Sequence, residues 1–155
     1  MLFFLSYLAC NQGSTFDLSG TDSYSKFNPG TAYYGASFIV FTDQTLECMD
    51  MVWVQKTNMD GEEPPYDGNL KALQITFNES DVTEGSFSIG GEAPVKAEFL
   101  DIQDGTFGVS KATEGTLEVD SIEEEEFVTG AFNFAFSEGQ ISGTFDVMWC
   151  LNIKP

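Results

Sequence analysis

Residues 127–150 read FVTGAFNFAFSEGQISGTFDVMWC, and this stretch limits the fold more tightly than any other. Its apolar residues alternate with small and polar ones on both sides of a Ser-Glu-Gly turn signal. Alternation with period 2 means a β-strand with one face buried. With Glu138 and Gly139 as a two-residue turn, Phe136 faces Ile141, Phe134 faces Gly143 and Phe132 faces Phe145. Gly130 then faces Val147, and Val128 faces Trp149. All of these lie on one face. The other face carries Ala135 with Ser142, Asn133 with Thr144, Ala131 with Asp146, and Thr129 with Met148. A slip by one residue would turn every aromatic side chain to water. The stretch is therefore a C-terminal β-hairpin.

A smaller unit recurs upstream: Gly, a small residue, Phe or Leu, any residue, then an aliphatic or Phe. It appears as GSFSI from Gly85, GTFGV from Gly105, GTLEV from Gly115, GAFNF from Gly130 and GTFDV from Gly143. The spacing is too irregular for a solenoid. It suits strands of an antiparallel meander with Gly near each strand entry. AYYGASFIVFT reads as one strand buried on both faces, and LKALQITFN places Leu73, Ile75 and Phe77 on one face. VKAEFLDI is a further strand. Long helical stripes are missing. The expected fold is all-β, an antiparallel β-sandwich or barrel of about eight to ten short strands.

Charge removes several function classes. The chain has 155 residues, a net charge of −19, six Lys, no Arg and no His. Neutralising a phosphate backbone takes Lys and Arg, so nucleic-acid binding is excluded as an expectation. Without His there is no Ser-His-Asp triad and no His-ligated metal. A pair of carboxylates remains available for catalysis, but with 25 acidic residues such pairs arise by chance. The expectation is a protein that is not an enzyme.

The first residues, MLFFLSYLAC, form a short apolar run ending in Ala9 and Cys10. The run shows no period-2 alternation and is too short to span a bilayer as a helix. It has the apolar region and small residue of a secretory signal. It resembles the lipobox of bacterial lipoproteins, in which the cysteine is lipidated and becomes the first mature residue. Tyr7 stands where that motif usually has Leu, and no basic residue precedes the run. The expected organisation is a signal-like segment over 1–9, a flexible polar tether over 10–30, and one all-β domain over 31–155. Export would leave Cys48 and Cys150 as an even pair in an oxidising compartment, where a disulfide between them is expected.

The residues Gly130, Phe132, Phe136, Ser137, Gly139, Gly143, Phe145 and Cys150 carry a further likeness. Their pattern resembles the closing hairpin of small predicted lipoproteins from deltaproteobacteria and related environmental bacteria. That resemblance implies an envelope address and an all-β fold. It transfers no functional site.

Two weaker candidates complete the reading. The loop MDGEEPPYDG clusters Asp60, Glu62, Glu63 and Asp67, oxygen ligands suited to Ca²⁺, although the EF-hand pattern is absent. Trp53 and Tyr66 could form an aromatic platform for sugars, whereas burial in the core is the ordinary fate of such rings. The leading expectation is an exported, non-enzymatic lipoprotein of the bacterial cell envelope, held by a lipid on Cys10, with a protein or glycan partner at the cell surface. The alternative is a carbohydrate-binding module or a two-carboxylate glycoside hydrolase.

Overall fold

The structure is a computed structural model, and it describes residues 13–51, 54, 66, 68–78, 80–104 and 106–150. Ten strands follow in chain order. They are β1 (Thr15–Gly20), β2 (Thr31–Gly35), β3 (Phe38–Thr42), β4 (Asn69–Phe77), β5 (Gly85–Ile89), β6 (Val95–Gln103), β7 (Thr106–Lys111), β8 (Glu114–Glu123), β9 (Phe127–Phe136) and β10 (Gly139–Trp149). The fold is all-β, a closed eight-strand barrel with two added strands.

The pairing explains why sandwich and barrel both suited the sequence. Strands β1, β10, β9, β8 and β5 form one antiparallel sheet. Strands β2, β3, β4, β6 and β7 form another. Two short parallel bridges join them. Met148 and Trp149 pair with Tyr33 and Tyr34 at one corner, and Ile89 pairs with Val95 at the other. The barrel is thus a flattened sandwich closed at both corners. We call the first sheet open and the second strapped.

The main core lies between the sheets. The open sheet contributes Phe132, Phe134, Phe136, Ile141, Phe145 and Val147, and the strapped sheet contributes Ile39, Phe41, Leu73, Ile75, Phe77 and Phe99. Every face expected of the C-terminal hairpin is correct. Its register is not: Phe136 pairs with Gly139, Phe134 with Ile141, Phe132 with Gly143 and Gly130 with Phe145. The turn is therefore Ser137–Glu138, and the register moves by two residues, which preserves the faces. The reason lies in Gly139. It has φ 140°, and a Cβ there would sit 2.5 Å from the Thr21 carbonyl oxygen. The Thr21 amide donates to the Gln140 carbonyl at 2.9 Å, and the Ser23 amide to that of Glu138 at 3.2 Å. The segment after β1 thus presses against the start of β10, where only Gly leaves room.

Other expectations need correction. Over its described part, residues 13–30, the expected tether is folded: β1 pairs with β10 along its whole length, and Tyr24 and Phe27 are buried in the core. Polar composition hid two anchoring aromatics. AYYGASFIVFT is a hairpin, β2–β3, not one strand. Gly85 and Gly115 do stand at strand entries, but Gly130 and Gly143 lie inside β9 and β10. At Gly130 a Cβ would collide with the Glu118 carbonyl oxygen and sit 2.7 Å from Phe145. That glycine makes room for an inward ring.

The strapped sheet is buried over part of its outer face as well, on β3, β4 and β6. Phe38, Val40, Leu70, Ala72, Leu100 and Ile102 form a second core with Leu46, Val54 and Tyr66 of the β3–β4 connection. The Asp43 carboxylate accepts from the Lys71 amide at 2.9 Å, which fixes where this strap begins. A disulfide between Cys48 and Cys150 fastens it, with Cα atoms 5.6 Å apart. Cys150 follows the last residue of β10 and points away from the barrel interior, into the second core. Cys48 begins a 3-10 turn, Cys48–Met51.

Candidate functional site

The two barrel ends differ. At the end holding the β9–β10 turn, Tyr24 meets Phe99 and Phe136 with ring centroids 4.8 and 5.0 Å away, and Phe27 meets Phe99 at 5.1 Å. These rings plug that end. At the opposite end, Trp149 and Tyr34 meet edge to face with centroids 4.9 Å apart. There a cavity of about 450 Å³ opens.

This mouth is assembled from four separate parts of the chain. Tyr34 lies one residue before the end of β2, and Ala36 begins the following turn. Asp81, Val82 and Thr83 come from the β4–β5 connection, Ile122 from the end of β8, the acidic turn Glu124–Glu125 from the β8–β9 connection, and Trp149 from the end of β10. The acidic turn is tight: the Glu126 amide donates to the Glu123 carbonyl at 2.9 Å, and Glu125 has φ 58°. The Trp149 amide donates to the Glu126 carbonyl at 2.7 Å and ties the turn to β10. The Tyr34 hydroxyl donates to the Glu123 carbonyl at 3.2 Å. Burial pushes the Tyr34 hydroxyl above the ordinary tyrosine pKa of 10.0, the Glu124 and Glu125 carboxylates add to the rise, and backbone N–H groups of Glu126 and Glu125 offset part of it. The indole Nε1 of Trp149 is buried with no hydrogen-bond partner among the described residues. Val82 and Ile122 supply apolar lining, while Asp81, Glu124 and Glu125 are exposed at the rim. The mouth thus combines an apolar wall with three exposed carboxylates.

A shallower groove of about 490 Å³ runs over the outer face of the open sheet, between Thr15, Asp17, Asp120, Thr129, Thr144 and Asp146. One oxygen of Asp146 is buried there without a partner among the described residues. The described residues include no cluster of three acidic, Cys or His side chains able to hold a metal ion. A third hollow marks the other corner, where Lys96 and Lys111 stand beside Glu98 and the Gly90–Gly91 turn. Lys111 reaches Glu98 at 3.6 Å, an exposed pair worth little.

The residues singled out in the sequence are treated unevenly. Cys48 and Cys150 are joined. Tyr66 is 6 % exposed and packs in the second core, so it offers no stacking face. Its hydroxyl has no partner among the described residues, and burial raises its pKa above 10.0. For Tyr66 the ordinary alternative, burial in a core, is the one found. Trp53, Cys10 and the proposed Ca²⁺ ligands Asp60, Glu62, Glu63 and Asp67 lie outside the described residues. Among the described residues the exposed large apolar side chains are Met49 and Val109, neither of them aromatic.

The mouth itself was not anticipated. The sequence assigned Trp149 to the core face. Only the β10–β2 bridge brings it beside Tyr34. No family model, curated protein or solved structure matches the chain.

Proposed function

We propose that this chain is an exported protein of the bacterial cell envelope, anchored by a lipid on Cys10, whose barrel serves as a non-enzymatic binding module. The observation that carries this reading is the Cys48–Cys150 disulfide. Such bonds persist in oxidising compartments and are rare in a reducing cytosol. The lipobox-like sequence around Cys10 supports the same address. The barrel mouth, with an apolar wall and polar rim, is the described cavity best suited to a small ligand.

Fractionation of a bacterial host expressing the full chain tests the address. The protein should sediment with membranes and gain acyl mass on Cys10, and Cys10→Ser should release it to the soluble fraction without acylation. A wild-type chain that is soluble and unacylated would overturn the anchor. The same comparison with a few upstream residues added covers a start that lies earlier in the gene.

A further inference from the structure

We propose that the barrel mouth binds an organic cation, an alkylated ammonium group seated against Trp149 and drawn in by Asp81, Glu124 and Glu125. This inference rests on reading the chain as a binding module, and it is independent of how the chain is anchored.

The walls come first. Trp149 and Tyr34 line the cavity together, and their rings are held edge to face. The Tyr34 ring is held through its hydroxyl to Glu123, and Trp149 packs against it on a backbone tied by its amide to Glu126. Indole is the ring that attracts cations most strongly, through the negative potential over its face. A rigid aromatic wall also loses little freedom when a ligand arrives.

The charge comes next. Asp81, Glu124 and Glu125 stand at the rim, and no Lys is among the residues lining this cavity. The net charge of −19 adds a long-range field that concentrates cations at such a rim. A bare metal ion is a poor fit, because the described residues bring no three carboxylates to one point. Val82 and Ile122 would also face such an ion with apolar surface. An alkylated ammonium matches both halves of the lining: its charge is diffuse and its surface is largely apolar.

The test compares choline with 3,3-dimethylbutanol, its uncharged isostere, on the oxidised full chain. Binding is read by calorimetry and by shifts of the Trp149 indole N–H signal, assigned with a Trp53→Phe variant. The inference predicts that choline binds at least roughly tenfold more tightly than the alcohol. It predicts that choline binding weakens with added salt. Trp149→Leu should abolish it. Because that change could disturb the fold, the exposed pair Asp81→Asn with Glu124→Gln is the second variant, and it should weaken binding several-fold while leaving the melting temperature near wild type. Equal affinity for both probes would overturn the cation inference and leave the mouth as an uncharged-ligand site of a binding module. No response of the Trp149 signal to either probe would overturn both the inference and the placement of the module's site at this mouth.

Discussion

The two sheets of this barrel share one core and differ in what covers their backs. The strapped sheet carries a second apolar layer outside, beneath a long connection fastened by a disulfide. The open sheet turns Thr116, Glu118, Asn133 and Thr144 to water. Its strands β1, β5, β8, β9 and β10 contain no Lys, whereas Lys71, Lys96 and Lys111 all lie in the strapped sheet. A sheet buried on both faces needs apolar residues at consecutive positions, as β3 has. A sheet buried on one face needs only alternate ones. The chain therefore divides its labour. One sheet secures the strap, and the other leaves a clean polar face.

The largest expected effect comes from undoing the strap. The Cys48–Cys150 bond spans 102 positions. Replacing both cysteines with Ser should cost roughly 4–5 kcal/mol in the chain-entropy account, read as a drop in the denaturant midpoint. A change under about 1 kcal/mol would mean that the strap is held by its apolar contacts alone. Next come the two cores. Phe134→Ala in the shared core and Phe38→Ala in the second core should each cost about 3–5 kcal/mol, since both rings are fully buried. If Phe38→Ala costs no more than a surface change, the second core is not a packed layer and the contrast between the sheets fails.

Gly130→Ala should cost about 1–3 kcal/mol through crowding against Phe145 and the Glu118 carbonyl. A smaller truncation at Phe145 should relieve part of that cost, as a double-mutant cycle would show.

Alkali offers a gentler probe. Burial pushes the hydroxyls of Tyr24, Tyr33, Tyr34 and Tyr66 above the ordinary 10.0. A raised folded-state value favours the neutral, folded form. This contribution is complete below pH 10 and disappears as the pH rises through the folded-state values. Stability should fall above about pH 10, and Tyr66→Phe should blunt the fall. The smallest effect belongs to the open face, where Thr116→Ala should change stability by no more than about 0.5 kcal/mol. A larger loss there would show that something covers this face.

The contrast also explains what the sequence revealed. β9 and β10 alternate cleanly because only one of their faces is buried, so their faces were legible down to individual residues. Their register was not, because it depends on Thr21 and Tyr24, which lie far away in the chain. In β2 and β3 the period vanishes, since both faces are buried. AYYGASFIVFT then looks like one continuous apolar strand, and the Ala36–Ser37 turn is hidden. The polar stretch before β2 looked like a tether because its few apolar residues, Phe16, Leu18, Tyr24 and Phe27, are spaced among polar ones. The disulfide could be anticipated from cysteine arithmetic. The mouth could not, because Tyr34, Asp81, Glu124 and Trp149 are joined only by barrel closure.

The most direct test of the account is an unreduced peptide map of the chain isolated from its host's cells. The account predicts one cross-linked peptide joining Cys48 to Cys150 and an acylated Cys10 at the mature N-terminus. Three free thiols on an unprocessed chain would contradict the staple and the address together.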